Sequence, residues 1–189
     1  MNKERKIIVA VTGASGAIYA KLLLQELSHL AEPPEEIAVI FSGNALAIWN
    51  HELNESFRVA PPFRRYENHD FHAPFASGSS SFDTLIICPC SMGTMGRIAS
   101  GVSDDLISRA ADVLLKERRR VILVPRETPY NLIHIENMRT ITLAGGIICP
   151  ATPSFYSLPD HVEAVCMTVI HRILSLAGLE HGGFQWGEL

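Results

Sequence analysis

Charge is scarce in this sequence. Asp, Glu, Lys and Arg make up 19% of 189 residues, and 16 basic against 20 acidic residues leave a net charge of −4 and an isoelectric point near 6.0. A general nucleic-acid binder would carry a basic stripe and a high isoelectric point. Cysteine is also sparse: Cys88, Cys90, Cys149 and Cys166 are too few for a disulfide scaffold at this length. No Cys-x-x-Cys or His-x-His spacing offers a metal site, and none of the eight histidines pairs at a metal or triad spacing. No apolar run reaches membrane-spanning length. Residues 1–11 faintly mimic a signal peptide, but their apolar run is short and Thr12-Gly13 breaks it. Repeats and low-complexity segments are missing, so a soluble, reduced, cytoplasmic protein with one domain over residues 1–189 is expected.

What is present is apolar. Hydrophobic residues reach 47%, which excludes a disordered chain. The positive mean hydropathy of +0.16 reads as apolar surface buried between subunits, or else as a rich core. Short β-branched runs alternate with helical periodicity. Strands are predicted at 7–11, 37–41, 84–88, 121–124 and 147–149. Helices are predicted at 15–31 with Ser15 as N-cap, 43–53, 91–100, 104–118 with Asp104 as N-cap, 131–144 with Gly145 as its stop, and 159–177. Between 54 and 81 the pattern dissolves into one long loop. Alternating strands and helices predict an α/β fold, a parallel sheet with helices on both faces. Ligands of such sheets bind beyond the carboxyl ends of the strands.

Those ends carry the chemistry. The first strand runs into Gly13-Ala14-Ser15-Gly16, small residues at a helix start that suit a phosphate or a tight turn. The first dinucleotide-fingerprint glycine, the P-loop Lys and a Gly-x-Ser-x-Gly elbow are all missing. Ser42-Gly43 follows the second strand and Ser91-Met92-Gly93-Thr94 the third. Hydroxyl plus glycine at three successive ends points to a nucleotide-like site.

Further along, Arg126 and Glu127 stand between Pro125 and Pro129 after the fourth strand. They read as a surface ion pair, or as a phosphate fork and a tunable acid or base. Arg109 and Lys116 share a helix face with Asp112 between them, as in a salt-bridge ladder. Asp104-Asp105 lacks the third Asp of the magnesium motif of prenyl-chain enzymes and reads as helix capping. Tyr156, after the fifth strand, and Arg172, on the last helix, are bland alone. Cys88-Pro89-Cys90 reads as buried packing rather than a redox pair.

In order and spacing these segments resemble the UbiX-type flavin prenyltransferases: 11–17 (VTGASGA), 76–79 (ASGS), 88–94 (CPCSMGT), 109–112 (RAAD), 115–119 (LKERR), 124–129 (VPRETP), 134–138 (HIENM), 153–156 (PSFY), 172–174 (RIL) and 186–188 (WGE). The resemblance covers nearly the whole chain. It implies a three-layer Rossmann-like or flavodoxin-like subunit in a homo-oligomer, typically a dodecamer. The implied reaction moves a dimethylallyl group from dimethylallyl monophosphate to N5 and C6 of reduced FMN, without metal. The prenylated FMN serves a UbiD-type decarboxylase. By matched position, the implied FMN residues are Gly13, Ala14, Ser15, Ser42, Ser91, Met92, Gly93, Thr94 and Arg126. The implied prenyl-phosphate residues are Tyr156, Arg172, Lys116, Arg109 and Ser77, and the implied catalytic residues are Glu127, Ser15 and Glu52. The stretch around 54–70 diverges from the family pattern, and Phe71 stands where some members carry Trp. Two rival readings stay open: a flavin-dependent decarboxylase of cysteinyl peptides or phosphopantothenoylcysteine, and a non-catalytic flavin carrier.

Overall fold

In every internal strand the chain alternates two apolar sets, and each set has its own helical layer. In β1 (Lys6–Val11), Ile7, Val9 and Val11 pack with α1 (Ala17–His29) and α6 (Val162–Ala177), while Ile8 and Ala10 face α3 (Met92–Ala99) and α4 (Leu106–Lys116). This is the period-two geometry of a strand buried on both faces. The same split runs through β2 (Glu36–Phe41), β4 (Thr84–Cys90) and β5 (Arg120–Pro125). The computed structural model describes residues 5–184 and Gly187. Trp186 and Glu188, from the last resembling segment, lie outside the described residues.

With β3 (Phe63–Tyr66) and β6 (Ile147–Ile148), the six strands form one parallel sheet in the order β3-β2-β1-β4-β5-β6. The connections run outward from β1 to β3, then return to start again at β4. The strand order therefore reverses between β1 and β4, the position at whose carboxyl ends sheets of this kind bind ligands. The expected three-layer Rossmann-like architecture is the one found. No helix among the described residues is long and apolar enough to cross a membrane.

Three local expectations are corrected. The long loop contains β3, which pairs in parallel with β2 from Ile37–Phe63 to Ile40–Tyr66. Its Phe-Arg-Arg-Tyr sequence lacks an apolar run because it is an edge strand, where charged residues block further pairing. Helix α1 starts at Ala17, and its N-cap is Gly16 in the left-handed region (φ 112°), not Ser15. Helix α4 is capped by Asp105, not Asp104, through a reciprocal capping box with Ser108. Asp104 pairs instead with Arg97 at 3.4 Å.

Helix α2 (Ala45–Leu53) follows β2, and α5 (Leu132–Leu143) follows β5, capped by Asn131. Of α5 only Ile141 is buried, while Leu132, Ile133 and Leu143 are 71%, 70% and 72% exposed. An amphipathic surface helix hides its apolar residues, so this helix carries unpartnered apolar area. All four cysteines are buried and free, as packing groups. Burial pushes the Cys90 thiol up to about 12.

Candidate functional site

The loop after β1 is tied to the loop after β4 by one buried hydroxyl. Thr12 Oγ1 donates to the Pro89 carbonyl at 2.8 Å and accepts the Ser91 N–H at 2.7 Å. Sequence reasoning missed Thr12; a polar residue closing an otherwise apolar strand was the available signal. Ser91 then caps α3, its hydroxyl accepting the Thr94 N–H and donating to Thr94 Oγ1 at 3.1 Å. Thr94 is buried, so it is part of the cap; Met92 is half-buried against the core and Gly93 is exposed. A Cβ built on Gly93 or Gly43 meets no atom within 4 Å, whereas one on Gly13 would sit 3.2 Å from Asn44 Cβ. The loops after β1 and β2 are thus in close contact, and open backbone lies at Gly43 and Gly93. Ser42 extends the ladder, its N–H donating to Val11 O at 2.9 Å.

The start of α1 is arranged differently from a bare phosphate cradle. Glu52, in the last turn of α2, accepts the Gly16 N–H at 2.8 Å and the Ala17 N–H at 2.7 Å. A carboxylate thus holds the orphan donors of the helix start, where negative charge is favoured. Burial pushes the Glu52 carboxyl up, but hydrogen bonds from Ser15, Ala17 and Gly16 and the Arg126 charge outweigh it, and the net shift is downward. Arg126 Nε donates to the Ser15 carbonyl at 2.8 Å. Ser15, Glu52 and Arg126 are therefore one cluster.

Arg126 and Glu127 do not pair with each other. Arg126 turns toward the loop after β1, and exposed Glu127 accepts the Thr128 N–H at 2.9 Å. Tyr19 lies beneath this cluster. Burial, then Cys166, pushes its hydroxyl up to about 12, against the Arg126 charge.

The residues assigned to the prenyl phosphate fall into two groups. Tyr156 and Arg172 line one cleft of about 510 Å³ together with Cys149, Thr152 and Phe184. Its floor follows β6, and the Ala151 N–H donates to Pro125 O, which joins the cleft to the end of β5. Arg109, Lys116 and Ser77 belong to the opposite layer. Arg109 Nε donates to Ala76 O at 3.0 Å and its guanidinium pairs with Asp112. Lys116 pairs with Glu117 rather than Asp112, beside Gly78. Helix α4 packs on the β4–β5 face with α3, and α6 on the other face with α1. The fold of one chain does not bring the two cation groups together. Among the described residues no group of three or more His, Cys, Asp or Glu clusters as a metal-ligand set.

Comparison with known proteins follows this geometry. Residues 1–176 match the Flavoprotein family. The flavin prenyltransferase UbiX of Methanocaldococcus jannaschii is 44% identical over 189 residues, covering 97% of this chain and 100% of that protein. A UbiX crystal structure in complex with FMN and dimethylallyl pyrophosphate is 37% identical with a TM-score of 0.84, covering 97% of this chain and 100% of that one. A dodecameric FMN-dependent UbiX-like decarboxylase from Escherichia coli O157:H7 is 37% identical with a TM-score of 0.86, covering 95% and 98%. These matches over nearly the whole length make the chain an enzyme that belongs to the Flavoprotein family and, within it, to the UbiX flavin prenyltransferases.

Proposed function

We propose that the chain, as one domain over residues 1–189, transfers the dimethylallyl group of dimethylallyl monophosphate to N5 and C6 of reduced FMN and hands prenylated FMN to a UbiD-type decarboxylase. The observation that carries this reading is the division of polar groups around the carboxyl ends of the strands. Backbone donors and hydroxyls line the loops after β1, β2 and β4, and a cationic, partly apolar cleft with Tyr156 and Arg172 adjoins the end of β5. The first set suits a flavin phosphate and ribityl chain. The second suits a small phosphate bearing a hydrocarbon.

FMN fits the residues present. On this reading Gly13, Ala14, Ser15, Ser42, Ser91, Met92, Gly93, Thr94 and Arg126 hold the FMN, and the open backbone at Gly43 and Gly93 supports it by leaving room for a ligand. When bound, reduced FMN supplies the nucleophilic ring atoms. Loss of the phosphate from the donor develops negative charge at the leaving oxygens. On this reading Arg172 and the Tyr156 hydroxyl, which line one cleft, receive that charge, and such donors lower the barrier when fixed beforehand. Glu127, exposed at the mouth, either protonates the leaving phosphate or takes the C6 proton. Ser15 and Glu52 keep the flavin edge lined with a carboxylate and a hydroxyl.

Arg109, Lys116 and Ser77 complete the phosphate clamp from a neighbouring copy, because their own layer faces away from Tyr156 and Arg172. The exposed apolar residues of α5 supply contact area for such a homo-oligomer, on the dodecameric pattern of the Escherichia coli relative. The same fold in a cysteinyl decarboxylase or a flavin carrier would need no prenyl donor. The deciding experiment is the flavin mass after anaerobic incubation with reduced FMN and dimethylallyl monophosphate. Gain of one dimethylallyl unit is expected, and unchanged FMN would remove the prenyl-transfer reading.

A further inference from the structure

Beyond α6 the chain doubles back on the helix it has just left. Gly178 ends α6 in the left-handed region (φ 69°), and the Leu179 N–H returns to Leu174 O at 3.0 Å. The His181 ring then stacks on His171 of α6, centroids 5.1 Å apart and planes 2° from parallel. His181 Nε2 lies 2.7 Å from Ser175 Oγ, and the Gly183 N–H donates to His181 Nδ1 at 3.0 Å. Gly183 lies so close to the other imidazole that a Cβ there would fall 2.3 Å from His171 Cγ. One residue later, Phe184 stacks on Tyr156 at 6.5 Å and 16° and forms a wall of the cleft that holds Arg172.

We propose that His171 and His181 are positioning residues that latch the segment 179–184 against α6 and thereby set Phe184 as the apolar wall of the prenyl-donor cleft. The role in donor binding rests on the function proposed above; the latch itself does not.

Hydrogen-bond direction fixes the charge state of the latch. A backbone N–H donates to His181 Nδ1, so that nitrogen carries a lone pair and the ring proton sits on Nε2, given to Ser175 Oγ. Ser175 passes its own proton to the His171 carbonyl at 3.0 Å. Protonating His171 sets a cation against the stacked His181 ring, whose Nδ1 lone pair is already committed to the Gly183 N–H. Burial, then His181, holds His171 below the usual imidazole value, with Glu26 of α1 acting in the opposite sense. The other charged groups facing the pair are Arg172 and Glu163 of α6, Glu180 of the returning segment, and Asp160 with His161 before α6. A depressed folded-state value means that the neutral ring stabilises the fold. That contribution is present above the ordinary histidine range and is lost as pH falls through the lowered value.

The test uses the full chain loaded with FMN. The donor phosphate titrates in the same range, so wild type is read against His171→Phe, which keeps a ring to stack on but carries no proton. Between about pH 7.5 and 5.5 the wild-type donor KM should rise about tenfold more than that of His171→Phe, with kcat changing equally in both. His181→Ala should raise donor KM already at the higher pH. A second readout needs no donor: hydrogen exchange of the segment 179–184, corrected for intrinsic rates, should accelerate in acid in wild type and not in His171→Phe. Equal pH profiles of KM in the two proteins, or a wild-type KM in His181→Ala, overturn the positioning role. Exchange that ignores pH overturns the latch. An unmodified flavin under all conditions overturns the donor role together with the proposed function, while exchange still decides the latch.

Discussion

The Glu52 carboxylate accepts the Ala17 N–H at 2.7 Å, so the last turn of α2 closes the first turn of α1. A helix start that carries its own carboxylate is not free to take a second anion at those donors. The small residues before α1 therefore shape the strand end and present Ser15. On the proposed function, the flavin phosphate would be held by Ser42, by the turn around Ser91 and by the cations.

Glu52→Gln tests this arrangement. The amide keeps one acceptor but loses the charge, and charge at a helix N-terminus is worth about 0.3–1 kcal/mol. The Glu52 carboxyl is held below its usual value, so its contribution is present above the ordinary glutamate range and is lost as pH falls through the lowered value. Thermal unfolding should show the variant less stable near neutrality by about that amount. The gap to wild type should close in acid; a gap independent of pH would contradict the assignment.

Thr12→Val removes a hydroxyl while keeping side-chain shape. It leaves the part-buried Ser91 N–H without its acceptor, a loss at the lower end of the roughly 1–3 kcal/mol for a buried unsatisfied donor. Denaturant unfolding should show this loss, and FMN affinity should fall because the loops after β1 and β4 lose their shared register. Thr12→Ser should restore most of both. FMN binding unchanged in the valine variant would make Thr12 a purely structural tie.

Glu127→Gln should separate chemistry from binding. Exposed Glu127 makes one hydrogen bond among the described residues, to the adjacent Thr128 N–H, so the fold should be indifferent to the change. Positioned acid–base groups contribute about 10²–10⁴-fold, and single-turnover prenylation should slow within that range with FMN still bound. Arg172→Ala and Tyr156→Phe should instead weaken the donor, as expected for charge-assisted contacts worth roughly 1.5–3 kcal/mol. A wild-type chemical rate in Glu127→Gln would take it out of the mechanism.

Mixing subunits tests how the clamp is assembled. Lys116→Ala and Arg172→Ala proteins, each impaired alone, should recover activity when dissociated and reassembled together, because some sites then contain neither defect. No recovery in a mixed assembly of confirmed composition would place Lys116 and Arg172 in the same chain's site, or Lys116 outside it.

Much of this protein was written locally. The β-branched runs at Ile7–Val11 and Ile37–Phe41 specified buried strands, because a strand covered on both faces needs apolar residues at every position. Alternation with helices then dictated a parallel sheet and put any site at the strand ends. Beyond sequence periodicity lay whatever depends on residues far apart in the chain. The edge strand β3 has no apolar run to announce it and exists because β2 offers an unpaired edge. Ser15 looked like a cap because hydroxyls cap helices, yet the cap came from Glu52, 36 residues beyond Gly16. Arg126 and Glu127 read either as an ion pair or as a phosphate fork and a tunable acid or base; the ion pair is not formed, because neighbours at a strand end diverge and each found a backbone partner. Arg109 and Lys116 share a helix face by spacing alone. That their face lies across the sheet from Tyr156 and Arg172 was decided by the order in which six strands assembled.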